Sequence, residues 1–219
     1  MSAIIVTGYN SNIAKNLIDI LDEREDTQII KAGRCKNADI FVEFDRFDSI
    51  KKFAHSLREM SFSHFLICHG VLYGEKIDSL DSSQCLGSFL VNLASVISLL
   101  EELPNLKHRK TLVISSISGK KGSYDNLYAS FKAGVDLAVK TISKQLDVTS
   151  RLNAVAPGIV GDTRMTMGRE DKENLQNILD NIPTRQFSTS LEVAELLYYV
   201  LFKSDNINGS IIDINGGHY

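Results

Sequence analysis

The sequence predicts a single α/β domain, a doubly wound parallel sheet of about seven strands with helices on both faces. Three observations predict it. Short runs rich in Val, Ile and Phe alternate along the chain with longer segments whose apolar residues recur at three- and four-residue spacing. Most of the short runs are apolar throughout, the pattern of strands buried on both faces. The 219 residues, 43% hydrophobic, suffice for one full core, and no repeat, low-complexity tract or Pro/Gly-rich linker divides them.

In order, "AIIVTG" opens the sheet and a helical pattern follows from Ile13 to Leu21. "TQIIKAG" is the second strand. The stretch from Lys31 to Ile40 is too short for a crossover helix, so a loop is predicted before the third strand, "DIFVEFD". Then come a helix from Ile50 to Leu57, the strand "FSHFLICHG", a helix from Cys85 to Leu103, and the strand "KTLVISS". A helix from Tyr128 to Leu146, the strand "SRLNAVAPG", a helix from Val193 to Phe202 and the strand "GSIIDINGG" complete the chain. Right-handed crossovers joining parallel strands make this a Rossmann-like domain over residues 1–219.

The balance of charge excludes some partners. A net charge of -3 with Lys and Arg scattered gives no broad attraction to nucleic acid or anionic membranes. No apolar run is expected to approach the roughly 20 residues of a bilayer span, and "MSAIIVTG" lacks the features of a signal peptide. A cytoplasmic location is expected. The three cysteines, Cys35, Cys68 and Cys85, fit neither a disulfide framework nor a zinc knuckle, and are expected to be reduced and mostly buried.

In such sheets ligands bind beyond the carboxyl ends of the strands. The first of these turns, "TGYNSNIAK", closes its strand at Gly8 and starts a helix near Ile13, which presents N–H groups and a positive dipole end to an anion. A plain structural turn looks the same. At the end of the second strand, Gly33 stands where an NAD site places its ribose-binding acid, and Arg34 follows. Arg34 is either a phosphate clamp or a solvated surface residue. Asp45 is placed to meet an adenine edge, or to cap the next helix.

Tyr128 and Lys132, in "LYASFKAG", share one helical face at i and i+4. The lysine's charge is expected to favour the phenolate, bringing a group that titrates near about 10 closer to neutrality as a proton donor or acceptor. Upstream, "VISSISG" ends a strand with Ser115 and Ser116, hydroxyls able to donate to a carbonyl oxygen as charge develops there.

These pieces in this order resemble the classical short-chain dehydrogenase/reductase family from first strand to last. "TGYNSNIA" is similar to its TGxxxGxG turn, "CHG" to its NAG motif, and "VNLAS" to its asparagine segment. "ISSISG" with "YASFK" resembles its serine and YxASK pieces, "NAVAPGIV" its PG turn, and the stretch from Ile182 to Gly217 its C-terminal pattern. The resemblance implies Tyr128 as general acid/base, and Lys132 as the group that lowers its pKa and holds the nicotinamide ribose. It implies Ser116 as the hydroxyl that positions the carbonyl and Asn92 as support for the lysine's proton relay. The implied cofactor contacts are Gly8, Asn10, Ser11, Asn12, Ile13, Arg34, Asp45, Cys68, His69, Gly70, Tyr128, Lys132, Pro157, Gly158, Val160 and Thr163, with no metal.

The departures are specific. Asn12 and Ala14 replace the second and third glycines of the turn, narrowing it for a pyrophosphate. Cys68 and His69 stand where asparagine and alanine are usual, and His69 either approaches the cofactor or packs against a neighbouring loop. Thr163 falls one position late after the PG turn. The leading expectation is an NADP-dependent oxidoreductase preferring NADPH over NADH, acting on a small-molecule carbonyl or alcohol and assembling as a homodimer or homotetramer. A substrate lid is expected around residues 162–183, carrying Arg164, Met165, Met167 and Arg169. The alternatives are an NADP-binding sensor or scaffold without turnover, and a nucleotide-sugar epimerase or dehydratase, for which the C-terminal half is short.

Overall fold

The computed structural model describes residues 2–74, 77–168 and 172–219. Seven parallel strands form one sheet: β1 (Ser2–Thr7), β2 (Thr27–Gly33), β3 (Ile40–Phe41), β4 (His64–Ile67), β5 (Lys110–Ile114), β6 (Arg151–Pro157) and β7 (Ile211–Ile214). Their spatial order is β3-β2-β1-β4-β5-β6-β7. The order reverses between β1 and β4, where Thr7 lies opposite Ile67, the place beyond the strand ends where open α/β sheets bind ligands.

Strand side chains alternate between two cores. Ile5, Phe65, Ile67 and Val113 join residues of α2 (Phe47–Ser56), α4 (Ser95–Glu102) and α6 (Asn126–Ile142) on one face. Ile4, Val6, Leu66 and Leu112 join α1 (Asn12–Arg24) and α9 (Ser190–Tyr198) on the other. Strands covered on both sides need apolar residues at every position, which is why their sequences run unbroken. Ion pairs Arg24–Glu195 (2.8 Å) and Lys203–Glu25 (2.9 Å) tie the start and end of this second layer together at its surface.

The loop predicted between β2 and β3 is present, but β3 is shorter than "DIFVEFD" suggested. Past Phe41 the chain leaves the sheet edge, and Phe44 turns inward to stack on His69 with ring centroids 3.7 Å apart. The helix expected from Cys85 to Leu103 is three pieces: α3 (Ser82–Phe89), a π-helical turn (Leu90–Ala94) and α4. As one helical run, residues 82–105 span 24 residues, long and apolar enough to cross a bilayer by length and composition. This corrects the expectation that no segment approaches that size, although Leu90, Val96, Leu99 and Leu100 place the run in the core. Cys35 is exposed, a correction to three mostly buried thiols, and all three are free.

Candidate active site

The first turn is built by close approach. Gly8 has φ of +63°, and a Cβ there would fall 2.6 Å from the backbone of Cys68 and His69, so only glycine lets β1 meet β4. Ser11 caps α1, its Oγ accepting from the Ala14 N–H at 3.1 Å. The first N–H groups of a helix lack intrahelical partners, so those of Asn12 and Ile13 stand at the positive end of α1, a cradle that suits a pyrophosphate. The Ile13 side chain itself is buried in the core.

Beside this turn, Asn10 Nδ2 donates to Cys35 Sγ at 2.8 Å and the Tyr9 hydroxyl to Asn37 Oδ1 at 2.9 Å, tying the loop after β2 to the first turn. The Tyr9 ring covers Gly33, where a Cβ would meet it at 3.1 Å. Arg34 and Asp45 face each other at 3.3 Å, both largely solvated. Such a pair is weak, at most about 1 kcal/mol.

At the end of β4, the Cys68 thiol touches Ser11 Oγ at 3.3 Å and burial pushes its pKa up. His69 takes the packed alternative. Its Nδ1 bonds Thr7 Oγ1 and its Nε2 bonds Ser95 Oγ, each at 2.8 Å, and burial drives its pKa down to about 3. Its ring is committed on both nitrogens to protein partners. Gly70 lies between the groups that follow: a Cβ there would be 3.3 Å from Asn92 Oδ1 and 3.9 Å from Lys132 Nζ.

α6 carries Tyr128 and Lys132, as the spacing predicted. Its N-cap is Asp125, whose carboxylate accepts from the Tyr128 N–H at 2.9 Å and from the Gly74 N–H at 3.4 Å. Lys132 is 2% exposed, and its ammonium donates to the Ile114 carbonyl at 2.9 Å and lies 5.6 Å from the Tyr128 ring centroid. Ser116 lies two residues beyond the end of β5, and its Oγ accepts from the Ser118 N–H at 3.1 Å.

The electrostatics correct one expectation. Burial pushes the phenol of Tyr128 up to about 12, with Ser116 opposing the rise and Asp125 adding to it. Lys132 is pushed down to about 8 by burial, with Cys68 and Asp136 opposing. The ammonium stands over the ring rather than at the phenol oxygen, and desolvation outweighs it. Tyr128 is therefore a held proton at neutral pH, an acid rather than a phenolate.

Asn92 lies in the π-helical turn, fully buried. Its Oδ1 accepts from the Val71 N–H at 3.0 Å, while its Nδ2 donates to Val71 O at 2.8 Å and Ser88 Oγ at 3.2 Å. The side chain thus clamps the loop after β4 against the helix. A π-helical turn frequently marks a functional position.

Pro157 ends β6 opposite Ile214, Gly158 packs against Asn215, and Val160 is buried and bridges to Ser188. The Thr163 hydroxyl donates to Val160 O at 3.0 Å, so it is turned into its own loop. The stretch expected to form a lid, residues 162–183, contains α7 (Arg164–Met167) and α8 (Lys172–Asn181), and Arg169 lies outside the described residues. Two links were not foreseen. Asn12 Nδ2 donates to Asp162 O at 2.6 Å, joining the first turn to the loop after β6, and Ser115 Oγ donates to Asp136 Oδ1 at 2.5 Å. An Asn in a glycine's place was the signal for the first; nothing local marked the second.

The sequence model of the enoyl-(acyl carrier protein) reductase family matches residues 48–218. The chain is 31% identical to "Nodulation protein G" of Rhizobium sp. (strain N33) over 134 residues, 58% of this chain and 54% of that protein, so it spans about half the length of that relative. It is 23% identical to "2-dehydro-3-deoxy-D-gluconate 5-dehydrogenase" of Bacillus subtilis (strain 168), over 96% of this chain and 90% of that one. In fold it is similar to a short-chain dehydrogenase from Burkholderia cenocepacia J2315 solved in complex with NADP (TM-score 0.85, 17% identity, 99% of this chain and 97% of that one). It is also similar to a short-chain dehydrogenase family protein from Francisella tularensis subsp. tularensis SCHU S4 (TM-score 0.84, 20% identity, 100% and 98%). The matched region holds Asn92, Ser116, Tyr128 and Lys132 but leaves out the altered first turn, and it shows that the chain belongs to the short-chain dehydrogenase/reductase family, a family of NAD(P)-dependent oxidoreductases.

Proposed function

We propose that the protein is an NADP-dependent oxidoreductase that moves hydride between nicotinamide and a carbonyl or alcohol carbon. The observation that carries this is the convergence of Ser116, Tyr128 and Lys132 at the ends of β5 and α6, with the Tyr128 phenol held protonated. A bound NADPH supplies the hydride. The N–H groups of Asn12 and Ile13 would hold its pyrophosphate, Lys132 its ribose, and Arg34 a 2′-phosphate; Arg34 can leave its weak pair with Asp45 to do so. Ser116 donates to the substrate oxygen and Tyr128 delivers the proton to it as negative charge grows. Lys132 holds the strand end through Ile114 and places positive charge beside the ring.

The nonpolar surface supports assembly as a homodimer or homotetramer. Leu86 and Phe89 on α3 and Leu137 on α6 are 56%, 41% and 66% exposed, and Phe89 and Phe131 join the two helices edge to face at 5.9 Å. The substrate is proposed to enter under residues 162–183.

The test is a pair of fluorescence titrations, NADPH and NADH, with a carbonyl screen for NADPH oxidation. NADPH should bind tighter, and Arg34→Ala should weaken NADPH while barely touching NADH. Equal affinities in the parent protein overturn the preference. The link from Asn12 to Asp162 favours a second reading, a binder without turnover, which moves ahead should NADPH bind and nothing in a broad screen be reduced.

A further inference from the structure

Ser116 and Lys132 sit on different elements, and one buried carboxylate touches the supports of both. Asp136 is 6% exposed and lies on α6 one helical turn beyond Lys132 and two beyond Tyr128. Its Oδ1 accepts from Ser115 Oγ, the hydroxyl of the residue immediately before Ser116. Ser115 in turn donates its backbone N–H to Val155 O on β6 at 2.8 Å, and Lys132 donates to Ile114 O, the residue before Ser115. Two consecutive residues at the end of β5 are thus pinned from α6, Ile114 by Lys132 and Ser115 by Asp136, and Ser116 follows them.

A carboxylate buried this deeply is costly unless something uses its charge. Burial raises its pKa, and the Ser115 hydroxyl, Lys120 on α5 (Ser118–Lys121), and Lys140 and Lys132 on α6 oppose that rise by favouring the ionised form. Lys120 is itself engaged with Asp213 on β7. Lys132 faces Asp136 on its own helix and the Cys68 thiol and neutral His69 at the end of β4. Cys68 is protonated at neutral pH, so Asp136 is the anion that opposes the desolvation of the Lys132 ammonium.

We propose that Asp136 is a positioning residue of this site: its hydrogen bond from Ser115 fixes the strand end that presents Ser116, and its charge, one turn from Lys132, keeps that lysine an ammonium. This rests on the reading of Ser116 and Lys132 as groups of the active site. Without the charge, Lys132 gives up its proton at lower pH, and the alkaline side of the activity profile moves with it.

The experiment follows the Lys132 Cε chemical shift against pH in protein labelled with carbon-13 lysine, the signal being assigned by its loss in Lys132→Met. Asp136→Asn retains the shape and an acceptor for Ser115 and removes only the charge. It should move the Lys132 titration to lower pH by about half a unit to one unit, the size expected of opposite charges one helical turn apart in a partly screened interior. An unmoved titration overturns the proposal. Should Asp136→Asn not fold, Asp136→Ser carries the test: it removes the same charge and still offers Ser115 an acceptor, so the titration should move the same way, with no movement again overturning the proposal. Asp136→Glu should restore part of the parental value. Loss of turnover in Tyr128→Phe beside an unmoved titration sinks this inference alone. Full turnover in Tyr128→Phe sinks the reading of the site, while the titration, which needs no substrate, still decides the role of Asp136.

Discussion

Lys132→Met should make the folded protein gain stability at neutral pH relative to its parent, and lose that gain as pH rises. Lys132 is almost completely buried and its pKa is pushed down to about 8, whereas an unfolded lysine titrates at its ordinary value of 10.5. Between those values the unfolded chain is the more protonated state, so the parent's stability rises with pH through that window. At about 1.4 kcal/mol per pKa unit, holding the ammonium in the folded protein costs about 3 kcal/mol at pH 7, and this falls to about 1.4 kcal/mol by pH 9.5. Methionine has no such dependence. Loss of the hydrogen bond to Ile114 O destabilises the variant by a similar amount at both pH values, so it cancels from the comparison. Urea unfolding of both proteins at pH 7 and 9.5 is the assay. The parent should gain about 2 kcal/mol on the variant between the two, the difference in lysine protonation alone. A stability difference that is the same at both pH values refutes the reasoning. The variant should also lose NADPH affinity and turnover, a trade of function for stability that buried working groups commonly show.

Asn12→Gly removes the side chain that spans from the first turn to Asp162 O; with a neutral hydrogen bond worth about 1 kcal/mol net, NADPH affinity should rise about fivefold, and a calorimetric titration showing weaker binding contradicts this. Buried His64 and His69 are pushed down to about 4 and about 3. Both stay neutral as pH falls below the usual 6.5, while the unfolded chain takes up two protons, so stability falls. The loss between pH 7 and pH 5 should reach about 4 kcal/mol, read from urea midpoints, and equal stability at the two pH values would contradict it. Sedimentation at micromolar concentration should show a dimer or tetramer, and Leu137→Asp should shift it toward monomer; a monomeric parent removes the assembly proposal.

Much of the fold was legible because strand and helix periods differ, and every strand of the sheet lies within one residue of a run that the apolar pattern marked. β3 was overdrawn for a tertiary reason: Phe44 finds His69 to stack on, and that contact draws the chain off the sheet edge. The pairing of Tyr128 with Lys132 followed from helical geometry alone. The protonation of the pair did not, because the spacing fixes a distance along the helix and says nothing of how deeply both groups are buried. The π-helical turn at Asn92 left no mark in an apolar pattern that continues smoothly through it. His69 was open between two readings until Thr7, Ser95 and Phe44 were seen around it. The contacts from Ser115 to Asp136 and from Asn12 to Asp162 join residues 21 and 150 positions apart, beyond any local pattern.

The central claim is that Tyr128 gives the proton to a substrate oxygen held by Ser116. Tyr128→Phe deletes one oxygen and retains the buried ring, so the fold and most cofactor contacts should persist. The direct measurement is NADPH oxidation with a carbonyl substrate found in the screen, parent beside Tyr128→Phe, with NADPH binding followed by fluorescence in the same samples. Turnover should fall by about two to four orders of magnitude, the usual worth of a positioned proton donor, while NADPH affinity stays near the parental value. Parental turnover in Tyr128→Phe would contradict the account.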